Sequence, residues 1–347
     1  MDPLFRSLWR LSPDNFTPPS RTPWGGTKII DRYKRTLALG TTPACVGEAW
    51  EVSVEPNFPS RLVDHGGITL AEAIARDPVA ALGERVAKKF GGLPILVKWL
   101  DAREALSVQV HPKDDYARLT AKQCGKPESW IILEADAGAG LYLGFKDGVT
   151  KEDVAHALQT NAALDALMTF VPVHAGDTFE IEAGTAHAIG GGITLIEPQL
   201  VQPGREGVTY RFWDWNRRYD KDGQPSPSGS PRALHVDESL EVTRFDLLGD
   251  AFVKSTRRSG KVMQTNVGAR WVRHIDNPSY RADTIGGTGT LAFVADTGIA
   301  ITVARGSVVT KYGAISAGES AFVPAVLAAE LALTLTDVYA VVSAPRA

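Results

Sequence analysis

The strongest constraint on the fold is a series of short apolar or alternating segments: AWEVSVE (49–55), ILVKWL (95–100), LSVQVH (106–111), SWIILEA (129–135), TFEIEAG (178–184) and ITLIEPQ (193–199). Each has the length of a strand, and Gly, Pro, Asp or Asn clusters separate most of them. Many short strands at this spacing predict an antiparallel sandwich or barrel. Three stretches break the pattern. ITLAEAIARDPVAALGERVAKKF (68–90) carries helical periodicity despite Pro78, and PKDDYARLTAKQ (112–123) reads as a short helix with an acidic start. Thr150 with Asp153 forms a capping-box signature ahead of a third helical segment, over 150–170.

Between Arg217 and Arg232 the chain reads RRYDKDGQPSPSGSPR, too polar and too rich in Pro, Gly and Ser for anything but a loop or linker. Strand-like segments return beyond it as LAFVAD, GIAITVARGSVVT, ESAFVPA and VYAVVSA. This organisation predicts a larger β-domain with helical insertions over 1–245 and a smaller β-domain over 246–347. A chain of 347 residues that is 44% hydrophobic is long and apolar enough for both cores. GAG (138–140) and GGTG (286–289) do not open a strand–helix unit, so they read as hairpin turns and not as phosphate loops.

A net charge of −3 with acids and bases intermixed, and no basic block, argues against nucleic acid as a partner. No apolar run approaches the ~20 residues that span a bilayer, and the first residues lack the apolar core of a signal peptide. With only Cys45 and Cys124, no disulfide framework or cysteine metal pair is available. A reducing, cytoplasmic setting is expected. Any metal must then be held by histidine, carboxylate and amide groups.

Three segments supply such groups. In LSVQVHPKDDYA, Gln109 and His111 stand two apart and share one face of a strand. On its own, this spacing is more often a polar strand end entering a Pro turn. In GKPESWIIL, Glu128 stands two before Trp130 and two after Lys126. An isolated Lys–Glu pair of this kind is more often a solvated strand edge. In HAGDTFEIEAGTAHAIGGG, an A-G-T-x-H turn puts His187 at a loop–strand junction ahead of three glycines. The remaining histidines, His65, His156, His174, His235 and His274, lack a ligand-rich neighbourhood and read as structural or solvated.

Taken in order, Q-x-H, K-x-E-x-W and G-T-x-H resemble the metal motifs of the type I mannose-6-phosphate isomerases, zinc enzymes of the cupin superfamily. PWGG (23–26), GEAWEVS (47–53), LPILVKWLDA (93–102), TYRFWDWNR (209–217) and GESAFVPA (318–325) extend the resemblance along the chain. It implies cupin, jelly-roll-like barrels with a helical insertion and a smaller C-terminal cupin-like domain. One zinc ion per chain would be held by Gln109, His111, Glu128 and His187. Arg211 matches the arginine of the TYR segment, Lys126 the lysine before the metal-binding glutamate, and Glu197 an acidic residue after the second histidine. The implied reaction is aldose–ketose isomerisation, interconverting mannose 6-phosphate and fructose 6-phosphate, small hexose phosphates, through a cis-enediol. Arg211 would meet the developing negative charge, Lys126 would either do the same or bind the phosphate, and Glu197 is a candidate proton shuttle. Its alternative reading as a supporting or solvent-facing carboxylate stays open. The sequence departs from the family pattern at QLVQPGREGVTYR, which is longer and carries Arg205. A non-catalytic, hexose-phosphate-binding regulatory cupin is the competing expectation. A metal-dependent oxygenase fits less well, because such enzymes favour histidine-rich iron sites and one ligand here is an amide. Oligomeric state is not legible.

Overall fold

The computed structural model describes residues 2–40 and 42–347. The alternating segments become two five-stranded antiparallel sheets. One contains β1 (Glu48–Val52), β2 (Ile95–Ala102), β4 (Glu128–Ala135), β7 (Thr178–Ile181) and β9 (Ile193–Leu200), in the order β1-β2-β9-β4-β7. The other contains β3 (Val108–Val110), β5 (Gly140–Phe145), β6 (Met168–Pro172), β8 (His187–Ile189) and β10 (Tyr210–Trp213), in the order β10-β3-β8-β5-β6. Their inner faces share one core that includes Leu100, Trp130, Ile132, Leu143, Ile189 and Leu195. Every residue of β2 and β9 is buried, which requires the polar side chains among them to find partners inside.

A larger antiparallel sheet follows. It is built from β11 (Lys261–Asn266), β12 (Ala269–Asp276), β13 (Tyr280–Phe293), β14 (Ile299–Thr310), β15 (Gly313–Ser316), β16 (Ser320–Val323) and β17 (Leu331–Pro345). Trp9–Arg10 adds an eighth strand beside β16, a pairing of distant segments that no local pattern announces. This sheet is joined to the first by apolar packing among Ile131, Trp99, Tyr280 and Phe322. A buried polar link adds to it. Lys34 Nζ lies 2.7 Å from Glu51 Oε1 and donates to Gly318 O at 2.7 Å, while Ser320 Oγ donates to Glu51 Oε2 at 2.8 Å.

The helical expectations divide. The 68–90 stretch forms three short helices, α1 (Leu70–Arg76), α2 (Pro78–Leu82) and α3 (Glu84–Phe90), because Pro78 starts a new helix where it would break an old one. Gly83, at φ +80°, turns the chain between α2 and α3, and a Cβ there would meet Asp296 O at 2.4 Å. The Thr150–Asp153 capping box opens α4 (Lys151–Gln159), which ends before 170 as Asn161 takes a left-handed conformation.

The helix expected over 112–123 does not form: successive turns occupy the segment, and Gln123 pairs with Glu206 in a two-residue parallel bridge. Few of its side chains are buried, so a helix would gain little from packing. Asp114 instead accepts from Gly125 N at 2.7 Å and Gln202 Nε2 at 2.8 Å. The GGTG stretch is likewise not a hairpin turn. It lies inside β13, where the register shifts between Gly287 and Gly289, and a Cβ on Gly287 would meet Gly268 O at 1.9 Å. No helix among the described residues is long and apolar enough to cross a membrane.

Candidate metal centre and active-site pocket

Strand register brings Arg211, Gln109 and His187 into one row across β10, β3 and β8, since Gln109 pairs with both of the others. His111 follows at the end of β3, where Pro112 stops the strand. Glu128 opens β4 on the opposing sheet. His111, Glu128 and His187 are all buried, and one ligand atom from each lies within 4.8 Å of the others. His111 Nε2 is 3.2 Å from Glu128 Oε2, and His187 Nε2 is 3.2 Å from Glu128 Oε1. The Gln109 amide lies 3.3 Å from His187 Nε2.

The outer hydrogen bonds decide what these atoms are. His111 Nδ1 stands 3.0 Å from Val208 O and His187 Nδ1 stands 2.9 Å from Thr185 O. A carbonyl only accepts, so each Nδ1 carries the proton, and each ring turns its Nε2 inward. Burial, then the charge of Lys126, pushes His111 down to about 3, so it stays neutral at ordinary pH. Burial would raise Glu128, but its cationic and imidazole neighbours hold the carboxyl well below its ordinary value. Both Nε2 atoms and the Glu128 carboxylate therefore converge, with the Gln109 amide nitrogen beside His187 and Gln199 Nε2 donating to Glu128 Oε2. His111 Nε2 and Glu128 Oε1 are buried without a hydrogen-bond partner. Such an arrangement repels itself unless a cation sits at its focus, and N/O donors of this kind suit a divalent metal. The residues fit a metal ion.

Beside the metal centre lies a second cluster of buried charge. Lys126 Nζ is 3.6 Å from Glu128 Oε2. Across the neighbouring strands, Lys98 Nζ is 3.6 Å from Glu48 Oε2 and 3.7 Å from Glu197 Oε2. Burial, followed by the nearby Glu128 charge, raises the Glu197 carboxyl to about 7. Burial and the neighbouring Lys98 lower Lys126. Glu48 would also be raised by burial, but Lys98 and the Trp50 indole, 2.8 Å from Glu48 Oε2, bring it below its ordinary value. A carboxyl poised near neutrality beside a metal centre is suited to proton transfer.

These groups line a cavity of about 220 Å³ whose wall also includes Gln109, Arg21, Arg211 and Arg232. Arg211 Nε donates to Ser107 Oγ at 3.1 Å and Nη1 to Ala233 O at 2.8 Å, which fixes the guanidinium and leaves Nη2 free of protein partners. Burial, then Arg232, lowers it to about 10. Arg232 is spent on Asp214, with two bonds of 2.7 Å. The 202–207 loop borders the cavity through Glu206 and Gly207, whereas Arg205 faces solvent. A Cβ on Gly207 would come within 2.9 Å of the Lys126 side chain, so glycine there admits the lysine.

The seven residues singled out from sequence thus gather around one cavity and the cluster beneath it. Sequence reading missed Lys98, Glu48 and Gln199. Lys98 left a signal, as the one charge inside ILVKWL, a run otherwise of core residues. Gln199 Nε2 donates to Glu128 Oε2 at 2.8 Å, a contact set by cross-strand register and invisible in either segment alone.

Residues 20–128 match the family described as phosphomannose isomerase type I, catalytic domain. Among curated proteins, a mannose-6-phosphate isomerase of Streptococcus mutans is 35% identical over 222 residues, covering 63% of each chain. One from Bacillus subtilis is 35% identical over 228 residues, covering 63% of this chain and 64% of its own. The matched region therefore spans just under two thirds of these relatives. The fold extends further. The crystal structure of the mannose 6-phosphate isomerase from Bacillus subtilis superposes with a TM-score of 0.80 at 23% identity, over 97% of this chain and 99% of that one. A mannose 6-phosphate isomerase bound with zinc and yttrium gives 0.70 at 16% identity, over 98% and 100%. The antiparallel barrel is the cupin fold of these neighbours. By its catalytic-domain match over residues 20–128 and its relatives over just under two thirds of their length, the chain is similar to the type I phosphomannose isomerases.

Proposed function

We propose that this protein interconverts mannose 6-phosphate and fructose 6-phosphate, using one zinc ion held by Gln109, His111, Glu128 and His187. The observation that carries the reading is the convergence of unpartnered acceptors at His111 and Glu128 beside a Glu197 carboxyl poised near 7. Bound there, the metal supplies Lewis acidity toward the sugar's oxygens. The chain's own residues do the rest. Glu197 takes the C2 proton of the open-chain aldose and returns it to C1. Arg211, through its free Nη2, and Lys126 meet the negative charge that develops on O1 and O2. The apolar walls at Trp24, Leu100 and Leu106 restrict water at the reacting carbons.

Residues 1–245 then form the catalytic unit and 246–347 a supporting β-domain, with Lys34–Glu51–Ser320 tying the two. Purified, zinc-loaded protein incubated with mannose 6-phosphate is expected to yield fructose 6-phosphate, and chelation to stop the conversion. Absence of turnover in the zinc-loaded protein would refute the reading.

A further inference from the structure

The ladder between β9 and β4 has a gap. It runs through Ile196 opposite Ile131 and resumes at Gln199 opposite Glu128, with no pairing at Glu197 or Pro198. Pro198 has no N–H to contribute, and side chains close the gap. Gln199 Nε2 donates to Glu128 Oε2 at 2.8 Å, Ser129 Oγ to Pro198 O at 3.3 Å, and Trp130 Nε1 to Glu197 Oε1 at 2.9 Å. From the larger sheet, Tyr280 Oη donates to Ser129 Oγ at 3.1 Å.

We propose that Trp130 is a positioning residue for proton transfer: its indole N–H pins Glu197 by Oε1 and leaves Oε2 as the oxygen that exchanges the proton with substrate carbon. This rests on the isomerase reading. Trp130 is fully buried and sits edge-on to His187, with ring centroids 5.3 Å apart, so the indole is wedged between the metal centre and the base. Glu197 is also buried, and its other oxygen makes no hydrogen bond among the described residues, Lys98 Nζ standing 3.7 Å away. The two oxygens are therefore distinct. In the aldose-to-ketose direction the C2–H bond breaks as Oε2–H forms. Its electron pair becomes the C1–C2 double bond, and the carbonyl pair moves onto O1. Transfer of the O2 hydroxyl proton to O1, with Oε2 returning its proton to C1, closes the ketose at C2 with no other reactant. A carboxylate free to rotate would meet C1 and C2 less often in the productive geometry.

Trp130→Phe keeps the apolar packing and removes the N–H. With zinc-loaded protein and mannose 6-phosphate, kcat is expected to fall about 10- to 100-fold with KM changed less than about twofold and metal stoichiometry intact. Solvent deuterium incorporated per turnover should rise, because a loosened carboxyl exchanges its proton before returning it. An unchanged kcat would overturn the assignment, as would a fall that tracks loss of metal, since Trp130 would then act through His187. If the variant folds poorly, ¹⁵N-labelled tryptophan in wild type and Glu197→Leu decides. One of the eight indole N–H resonances should move upfield in E197L, where no acceptor remains, and no movement would refute the contact. Wild-type protein inactive on mannose 6-phosphate overturns the isomerase reading and this assignment with it, whereas active wild type with indifferent W130F overturns only the latter.

Discussion

Replacing Glu197 by glutamine should abolish isomerisation and at the same time stabilise the protein at alkaline pH. The glutamine carbonyl can still accept from Trp130 Nε1, so the contact at 2.9 Å survives while the ionisable group is lost. Folding raises this carboxyl from its ordinary 4.5 to about 7, with burial the main cause. A raised carboxyl favours the protonated fold, so its cost is absent below pH 4.5 and grows until the pH passes about 7. At ~1.4 kcal/mol for each tenfold change in proton affinity, the full cost is about 3 kcal/mol. Metal-free wild type and E197Q are compared by chemical denaturation at pH 5 and pH 8. The variant's advantage should be small at pH 5 and approach about 3 kcal/mol at pH 8. Equal differences at the two pH values, or a less stable variant at pH 8, would refute the placement of an ionisable, desolvated carboxyl beside the metal centre.

Arg211→Lys keeps the charge but cannot hold Ser107 Oγ and Ala233 O while still presenting a donor to the cavity. Steady-state kinetics should show kcat/KM reduced about 10- to 100-fold, a loss of ~1.4–3 kcal/mol. Lys34→Met leaves the Glu51 carboxylate buried without its cation, 2.7 Å from where the ammonium stood. Stability should drop by about 3–5 kcal/mol, measured by denaturation of the intact chain. If K34M were as stable as wild type, the buried pair would not be tying the two sheets together.

Much of the barrel was legible because antiparallel strands write their faces into local alternation. ITLIEPQ and ILVKWL announced strands directly, and the Thr150–Asp153 capping box announced α4. What local pattern could not carry was partnership at a distance. PKDDYARLTAKQ has a helix-like composition, yet Asp114 is held by Gly125 and Gln202, and the segment spends its hydrogen bonds in turns. Trp9–Arg10 joins a sheet whose other strands begin 250 residues later, as β11 starts only at Lys261. The proposed metal ligands were legible through their motifs, which set histidine, amide and carboxylate side chains at short offsets on strands. Lys98, Glu48 and Gln199 were not, because their contacts arise only once β1, β2, β9 and β4 lie side by side.

The convergence of His111, Glu128 and His187 on one point is the centre of the account, and His187→Ala tests it most directly. Metal content by elemental analysis, measured together with mannose 6-phosphate turnover on the same samples, should read close to one zinc per wild-type chain. In the variant, metal and turnover should both be lost. A variant that keeps its full metal content would contradict the ligand assignment and the site built on it.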